Sequence, residues 1–226
     1  MANRKPLSRE RPLRRRGPQY QPKTRFLILC EGEVTEPEYF AFVRDQLKEH
    51  LISIVALGDL GDPLSVVEEA IMRRKNASKR ARQAKDENLT YDEIWCVVDV
   101  DDHARLPEAK NLAKKEGINL AVSNPCFELW ALLHFQEQNA HINSIAIQRR
   151  LRSHMPGYEK SLRCDAMVGA YTLAKQRAMA LEKQHERNMS KQGSNPSTDV
   201  WKLVDKILES ASKARPGKSG TEIISL

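Results

Sequence analysis

Two short apolar runs, each ending in a cluster of acids, set the strongest limit on how this chain folds. Phe26-Leu-Ile-Leu-Cys30 leads into Glu31-Gly32-Glu33, and Ile94-Trp-Cys-Val-Val98 leads into Asp99-Val-Asp101-Asp102-His103. Neither run alternates apolar with polar residues, so each reads as a strand buried on both faces, as in a parallel sheet covered by helices. In such sheets chemistry gathers beyond the carboxyl ends of the strands. Asp99 and Asp101 are two positions apart, so they project to one side if the strand persists, and Glu31 can face them from a neighbouring strand. Three carboxylates converging there repel one another without a cation, and hard oxygen donors of this kind suit Mg²⁺ or Mn²⁺.

The rest of the chain alternates strand and helix in the manner of a small parallel α/β sheet. After the turn at Gly32, Thr35 and Glu38 have the spacing of a capping box, Pro37 fits the first helical turn, and the helix runs to about Glu49. Ser53–Leu57 reads as a strand, Gly58–Pro63 as a loop, and 64–85 as a long helix with a basic end. Pro107 opens a short helix that stops at Gly117, and 118–122 is a further strand. Residues 127–135 read as a buried apolar helix. From about 143 the pattern is helical, with segments at 165–190 and 198–211, the last capped by Ser197 or Thr198.

Composition narrows the function classes. The net charge of +7 is concentrated at one end, because residues 1–25 carry nine Lys or Arg against the single Glu10 and the remainder sums to −1. The high isoelectric point therefore describes a tail, expected to be disordered when free, and not a basic domain. A second basic run, Arg73 to Lys85, lies inside the folded region and reads either as a solvated helix face or as a surface for phosphates. No apolar run spans a bilayer, and Met-Ala-Asn-Arg-Lys-Pro lacks the apolar segment of a secretory signal. Cys30, Cys96, Cys126 and Cys164 form no Cys-x-x-Cys pair, so reduced thiols in a cytoplasmic chain are expected. No Gly-x-x-x-x-Gly-Lys-Ser/Thr loop is present, so ATP hydrolysis by this chain is not expected.

Three segments in order carry a family resemblance: Cys30-Glu31-Gly32-Glu33-Val-Thr35-Glu36-Pro37-Glu38-Tyr39-Phe40, Val98-Asp99-Val-Asp101-Asp102, and Ser123-Asn124-Pro125-Cys126-Phe127-Glu128-Leu129-Trp130. Together with Pro156-Gly157-Tyr158-Glu159-Lys160 and Asn195-Pro196-Ser197-Thr198, they resemble the RloB-like family from Arg25 to about Leu208. That family is similar to Toprim domains, the compact α/β fold of topoisomerases, bacterial primases and overcoming-lysogenization-defect nucleases. The resemblance implies a Toprim-like small parallel sheet flanked by helices over 25–140 with a helical extension packed on it over 141–212, while composition gives a basic disordered tail over 1–24 and a flexible tail over 213–226. It also implies a role in defence against bacteriophage beside a separate ATPase subunit. Carried onto this sequence, Glu31 is the catalytic glutamate and Asp99 and Asp101 are the metal ligands. Many Toprim sites continue as Asp-x-Asp-x-Asp, whereas this chain has His103 at the third place and an extra Asp102.

The expected activity is metal-assisted cleavage of a phosphodiester in DNA or RNA, with Asp99 and Asp101 holding Mg²⁺ or Mn²⁺ and Glu31 acting as ligand or proton shuttle. Asp102 joins the candidate ligands. So does Glu128, although a carboxylate in the first turn of a helix is also stabilised by the helix dipole. Lys160, after a Pro-Gly turn, is a candidate for stabilising phosphate charge in catalysis. Taken singly, each acid also suits a cap or a solvated turn. Glu33, Glu36 and Glu38 read as turn and cap chemistry, Cys126 as packing, and Trp95 and Trp130 as core. Two other readings stand beside the nuclease: a non-catalytic module that binds nucleic acid or the ATPase around a structural cation, and a primase-like nucleotidyltransferase. Self-association of the chain is compatible with all three.

Overall fold

The computed structural model describes residues 24–47, 52–100, 105–191 and 193–214. Both tails expected from composition fall outside those ranges, except for Thr24 at one end and Lys213 and Ala214 at the other. The described chain is an α/β fold built on one mostly parallel sheet. Its strands are β1 (Thr24–Cys30), β2 (Ile52–Leu57), β3 (Glu93–Asp99), β4 (Asn119–Asn124) and β5 (Ser197–Thr198), arranged in the order β2-β1-β3-β4-β5. The first four run parallel, and β5 pairs antiparallel with β4. Around the sheet lie α1 (Thr35–Gln46), α2 (Pro63–Ala84), α3 (Leu106–Glu116), α4 (Glu128–Leu133), α5 (Ser144–His154), α6 (Tyr171–Arg187) and α7 (Val200–Ala214).

The unbroken apolar runs do what a sheet covered on both faces requires. On β1, Phe26, Ile28 and Cys30 enter the core shared with α1, α4, α5, α6 and α7, while Leu27 and Leu29 enter the core under α2 and α3. On β3 the same alternation sends Trp95 and Val97 to the first face and Ile94, Cys96 and Val98 to the second. This period of two is the strand's own geometry and needs no polar face when helices cover both sides. Trp130, fully buried, lies edge-on to Tyr39 and Tyr171 at centroid distances of 6.4 and 6.0 Å, tying α4 to α1 and α6. Each such pair adds about 0.5–1.5 kcal/mol to the area it buries.

Several helix ends follow local chemistry. Asp62 caps α2 by accepting from the Leu64 amide at 3.1 Å, and Gly117 ends α3 at φ 65°, the left-handed conformation that glycine adopts without strain. Other expected ends are corrected. The Thr35–Glu38 capping box does not form: α1 has no side-chain cap, and the Thr35 hydroxyl instead donates to the Lys160 carbonyl at 2.7 Å. Glu38 turns away to accept from the Leu162 amide at 2.9 Å and the Ser161 hydroxyl at 3.0 Å. Long-range partners have displaced the local ones. The helix expected from 165 begins at Tyr171, preceded by a single 3-10 turn over Cys164–Met167. Thr198 does cap α7, accepting from the Val200 amide at 3.3 Å, and it also belongs to β5, a strand the sequence reading did not include.

The four cysteines are buried and unpaired. Among the described residues no helix is long and apolar enough to cross a membrane.

Candidate active site

The carboxyl ends of β1 and β3 lie side by side, with Cys30 in register with Val97. Pairing continues one residue further, since the Glu31 amide donates to the Val97 carbonyl at 3.1 Å. That step places Glu31 next to Asp99, whose amide donates to Glu31 Oε2 at 3.2 Å. Asp99 follows Trp95 and Val97 in strand parity, so its side chain is directed to the α1 and α4 face. There the Phe127 amide, just before α4, hydrogen-bonds its carboxylate. Its Oδ1 is fully buried and has no hydrogen-bond partner among the described residues.

Two further buried acids meet Asp99 on that face. Glu36 and Glu128 are only 5 % and 8 % exposed, one in the first turn of α1 and the other in the first turn of α4. Glu36 folds back so that Oε1 accepts from the Gly32 amide at 3.2 Å. Glu128 Oε1 accepts from the Tyr158 hydroxyl at 2.9 Å. The turn is close enough that a Cβ on Gly32 would overlap the Glu36 carboxylate, and one on Gly58 would overlap the Gly32 carbonyl oxygen. Glycine is the residue that lets the loop after β2 rest on the loop after β1.

Burial and mutual repulsion govern the titration of these groups. Burial pushes the Asp99 carboxyl well above the ordinary carboxylate range, and the charges of Glu36, Glu128 and Glu31 add to the shift against the Phe127 amide. Glu36 is also raised, first by burial and then by Glu128 and Glu31, while its amide hydrogen bonds oppose the shift. Cys30 and Cys126 flank the cluster with thiols that burial pushes up, so neither is an activated nucleophile. For Cys126 this agrees with the packing role read from the sequence.

Of the expected site residues, Glu31, Asp99 and Glu128 are brought together. Lys160 comes to the rim: its side chain is exposed, and its carbonyl holds Thr35 at the start of α1. Its φ of 105° lies in the region that favours glycine. Asp101, Asp102 and His103 lie outside the described residues, and β3 itself ends at Asp99. Glu36 and Tyr158 were not among the expected site residues. An acid in the first turn of the helix that follows a strand was the available signal for Glu36, since that turn sits over the strand's carboxyl end.

Among the described residues no three His, Cys, Asp or Glu side chains are placed to hold a metal ion as they stand. The donor set nonetheless fits a hard divalent cation, because a buried carboxylate oxygen without a partner lies among three other carboxylates.

No curated protein and no solved structure matches the chain. The model of one family, described as RloB-like protein, matches residues 26–207, a span that includes all of the described strands but the first two residues of β1, and the carboxylates of the cluster. The chain belongs to the RloB-like family.

Proposed function

We propose that this chain is a metal-dependent nuclease that hydrolyses phosphodiester bonds of DNA or RNA. The observation that carries the reading is Asp99, a half-buried residue whose fully buried Oδ1 has no partner among the described residues and lies among Glu31, Glu36 and Glu128 at the carboxyl ends of parallel strands. A fold that needed these acids only for stability would leave them in water or pair them with cations. Mg²⁺ or Mn²⁺ would be held by Asp99, Glu31 and Glu128, with Asp101 and Asp102 as further ligands. Bound there, the ion supplies positive charge to the scissile phosphate and acidifies an attacking water.

The chain's own residues do the remaining work. The Asp99 amide orients Glu31, and the Tyr158 hydroxyl orients Glu128. Glu36, whose carboxyl burial raises, exchanges a proton with the attacking water through Oε2 while Oε1 stays on the Gly32 amide. Lys160 at the rim meets a non-bridging phosphate oxygen. The resemblance to Toprim domains supports this chemistry, and the family association with a separate ATPase and with phage defence supports a nuclease under a partner's control.

The test is cleavage of plasmid DNA, single-stranded DNA and transfer RNA with Mg²⁺ or Mn²⁺, comparing wild type with Asp99→Asn. Loss of a ligand is expected to cost more than the roughly 10–100-fold that loss of an outer-sphere partner costs. Equal cleavage by the variant, or cleavage in EDTA, rejects the proposal. Nucleic-acid binding without cleavage by wild type favours the binding module, and templated nucleotide incorporation favours nucleotidyl transfer.

A further inference from the structure

We propose that the carboxyl-terminal ends of α2 and α3 form a docking ledge for the phosphate backbone of a nucleic acid, at the end of the sheet opposite the carboxylates. The inference rests on the nucleolytic reading of that site and extends it to how a long substrate is held.

The helix α2 runs back along the sheet from the carboxyl ends of the strands to their amino ends. At its start, the Asp59 amide donates to the Gly32 carbonyl at 3.2 Å, beside the acidic loop. At its end, the chain turns through Asn88 and Thr90, whose carbonyls accept from the Arg25 guanidinium near the beginning of β1. From Pro63 to Arg82 the helix advances about 29 Å at 1.5 Å per residue. Duplex DNA rises about 3.4 Å per base pair along each strand, so a segment of roughly 8 base pairs spans that distance.

The far end of this helix is cationic on its open face. Arg73 is taken up by Glu69 at 2.6 Å, and Arg74 reaches the Glu116 carboxylate at 2.6 Å, joining α2 to the last turn of α3. Lys75, Lys79, Arg80, Arg82 and Lys85 are exposed, and none forms an ion pair with a described residue. Lys75, Lys79 and Arg82 fall at i, i+4 and i+7 and therefore share one stripe, on the side away from buried Val67, Ala70 and Ala81. The Arg74 contact brings the exposed Lys114 and Lys115 of α3 alongside.

Carboxylates do little to neutralise the ledge. Glu116 is engaged by Arg74, Asp86 accepts from the Asn88 amide and side chain, and Asp92 accepts from the Arg25 amide at 2.7 Å, which leaves exposed Glu87 at the margin. The large apolar side chains exposed here are Met72 and Leu89, too few for the desolvated centre of a protein interface. Long flexible cations without apolar anchors suit phosphates, whose binding needs charge and not shape.

Anisotropy binding of a labelled duplex of about 20 base pairs in EDTA, across a salt series, tests the ledge without requiring cleavage. The variant Lys75→Gln/Lys79→Gln/Arg82→Gln is compared with wild type and with Lys183→Gln/Arg187→Gln/Lys191→Gln, which removes equal charge from exposed positions in and just beyond α6. Glutamine is a good helix former, and far-UV circular dichroism checks that each chain folds. Residues 1–25 contribute their charge equally to all three chains. The slope of log K against log salt is expected to fall by about 3 in the ledge variant and to hold in the α6 variant. An unchanged slope in the ledge variant, an equal fall in the α6 variant, or no duplex binding by wild type overturns the proposal. Binding of anionic vesicles or polyglutamate through the same three residues, without duplex binding, also overturns it. Duplex binding through the ledge with no cleavage under Mg²⁺ would reject the nuclease alone.

Discussion

Tyr158 donates its hydroxyl to Glu128 Oε1 at 2.9 Å, joining the turn after α5 to the first turn of α4 within the buried site. Both side chains are less than a tenth exposed, so water does not readily replace the bond. Tyr158→Phe removes the donor and leaves a buried carboxylate oxygen short of a partner, which costs about 1–3 kcal/mol. For a chain of this size the midpoint of thermal unfolding falls by roughly 2–4 °C per kcal/mol. If Glu128 also holds the metal, the same substitution weakens Mg²⁺ binding roughly 10–100-fold, read from the Mg²⁺ concentration that half-saturates the rise in Tm. An unchanged Tm would mean the bond carries no weight in the folded protein.

Asp99 is expected to cost stability when no cation is present. Its carboxylate is buried, lacks a partner at Oδ1 and faces Glu36, Glu128 and Glu31. Asp99→Asn keeps the shape and an oxygen for the Phe127 amide while removing one of the like charges. In EDTA the variant should be more stable than wild type by about 1–2 kcal/mol, the exchange of stability for function common at active sites. Wild type should recover when Mg²⁺ is added, by about 2.7 kcal/mol at a hundredfold excess over Kd, and the variant should not. Calorimetry of both chains with and without Mg²⁺ decides it. A variant destabilised in EDTA would assign Asp99 a structural role.

The sheet was legible because Phe26–Cys30 and Ile94–Val98 are apolar without alternation, and covered parallel strands leave few other uses for such runs. The end of α3 at Gly117, set by a single local residue, was legible as well, whereas the Asp62 cap of α2 was read as loop. What else stayed hidden depends on contacts distant in sequence. Thr35 and Glu38 have the spacing of a capping box, yet the segment 160–162 offers each a tertiary partner, and the local motif gives way. β5 is two residues long and owes its existence to β4, so no periodicity could announce it. In the site, Asp99 and Glu31 could be paired because each ends a strand, whereas Glu36 belongs there because Gly32 lets the helix turn fold over it.

His134 makes the stability of the fold sensitive to pH. The ring is 6 % exposed and lies edge-on to Trp130 at 4.8 Å, with Nδ1 placed 2.9 Å from the Trp130 carbonyl oxygen. A carbonyl oxygen only accepts, so Nδ1 carries the proton of the neutral ring. Burial pushes the imidazole down to about 4; the Trp130 carbonyl opposes the shift and the nearby Arg177 charge adds to it. Above pH 6.5 the ring is neutral in folded and unfolded chains, and stability does not depend on it. Between pH 6.5 and about 4 the unfolded chain binds a proton that the folded chain refuses, so stability falls as pH falls, by about 3 kcal/mol in all. Asp99 and Glu36, raised in the folded state, contribute in the opposite sense, gaining stability as pH falls. Urea unfolding of wild type and His134→Asn at pH 7.5, 6 and 5 separates the two effects, because the carboxylates are common to both chains. The variant is expected to be the less stable at pH 7.5, with the gap closing as pH drops. A gap that stays constant would mean that His134 is protonated in the folded protein as readily as in the unfolded one.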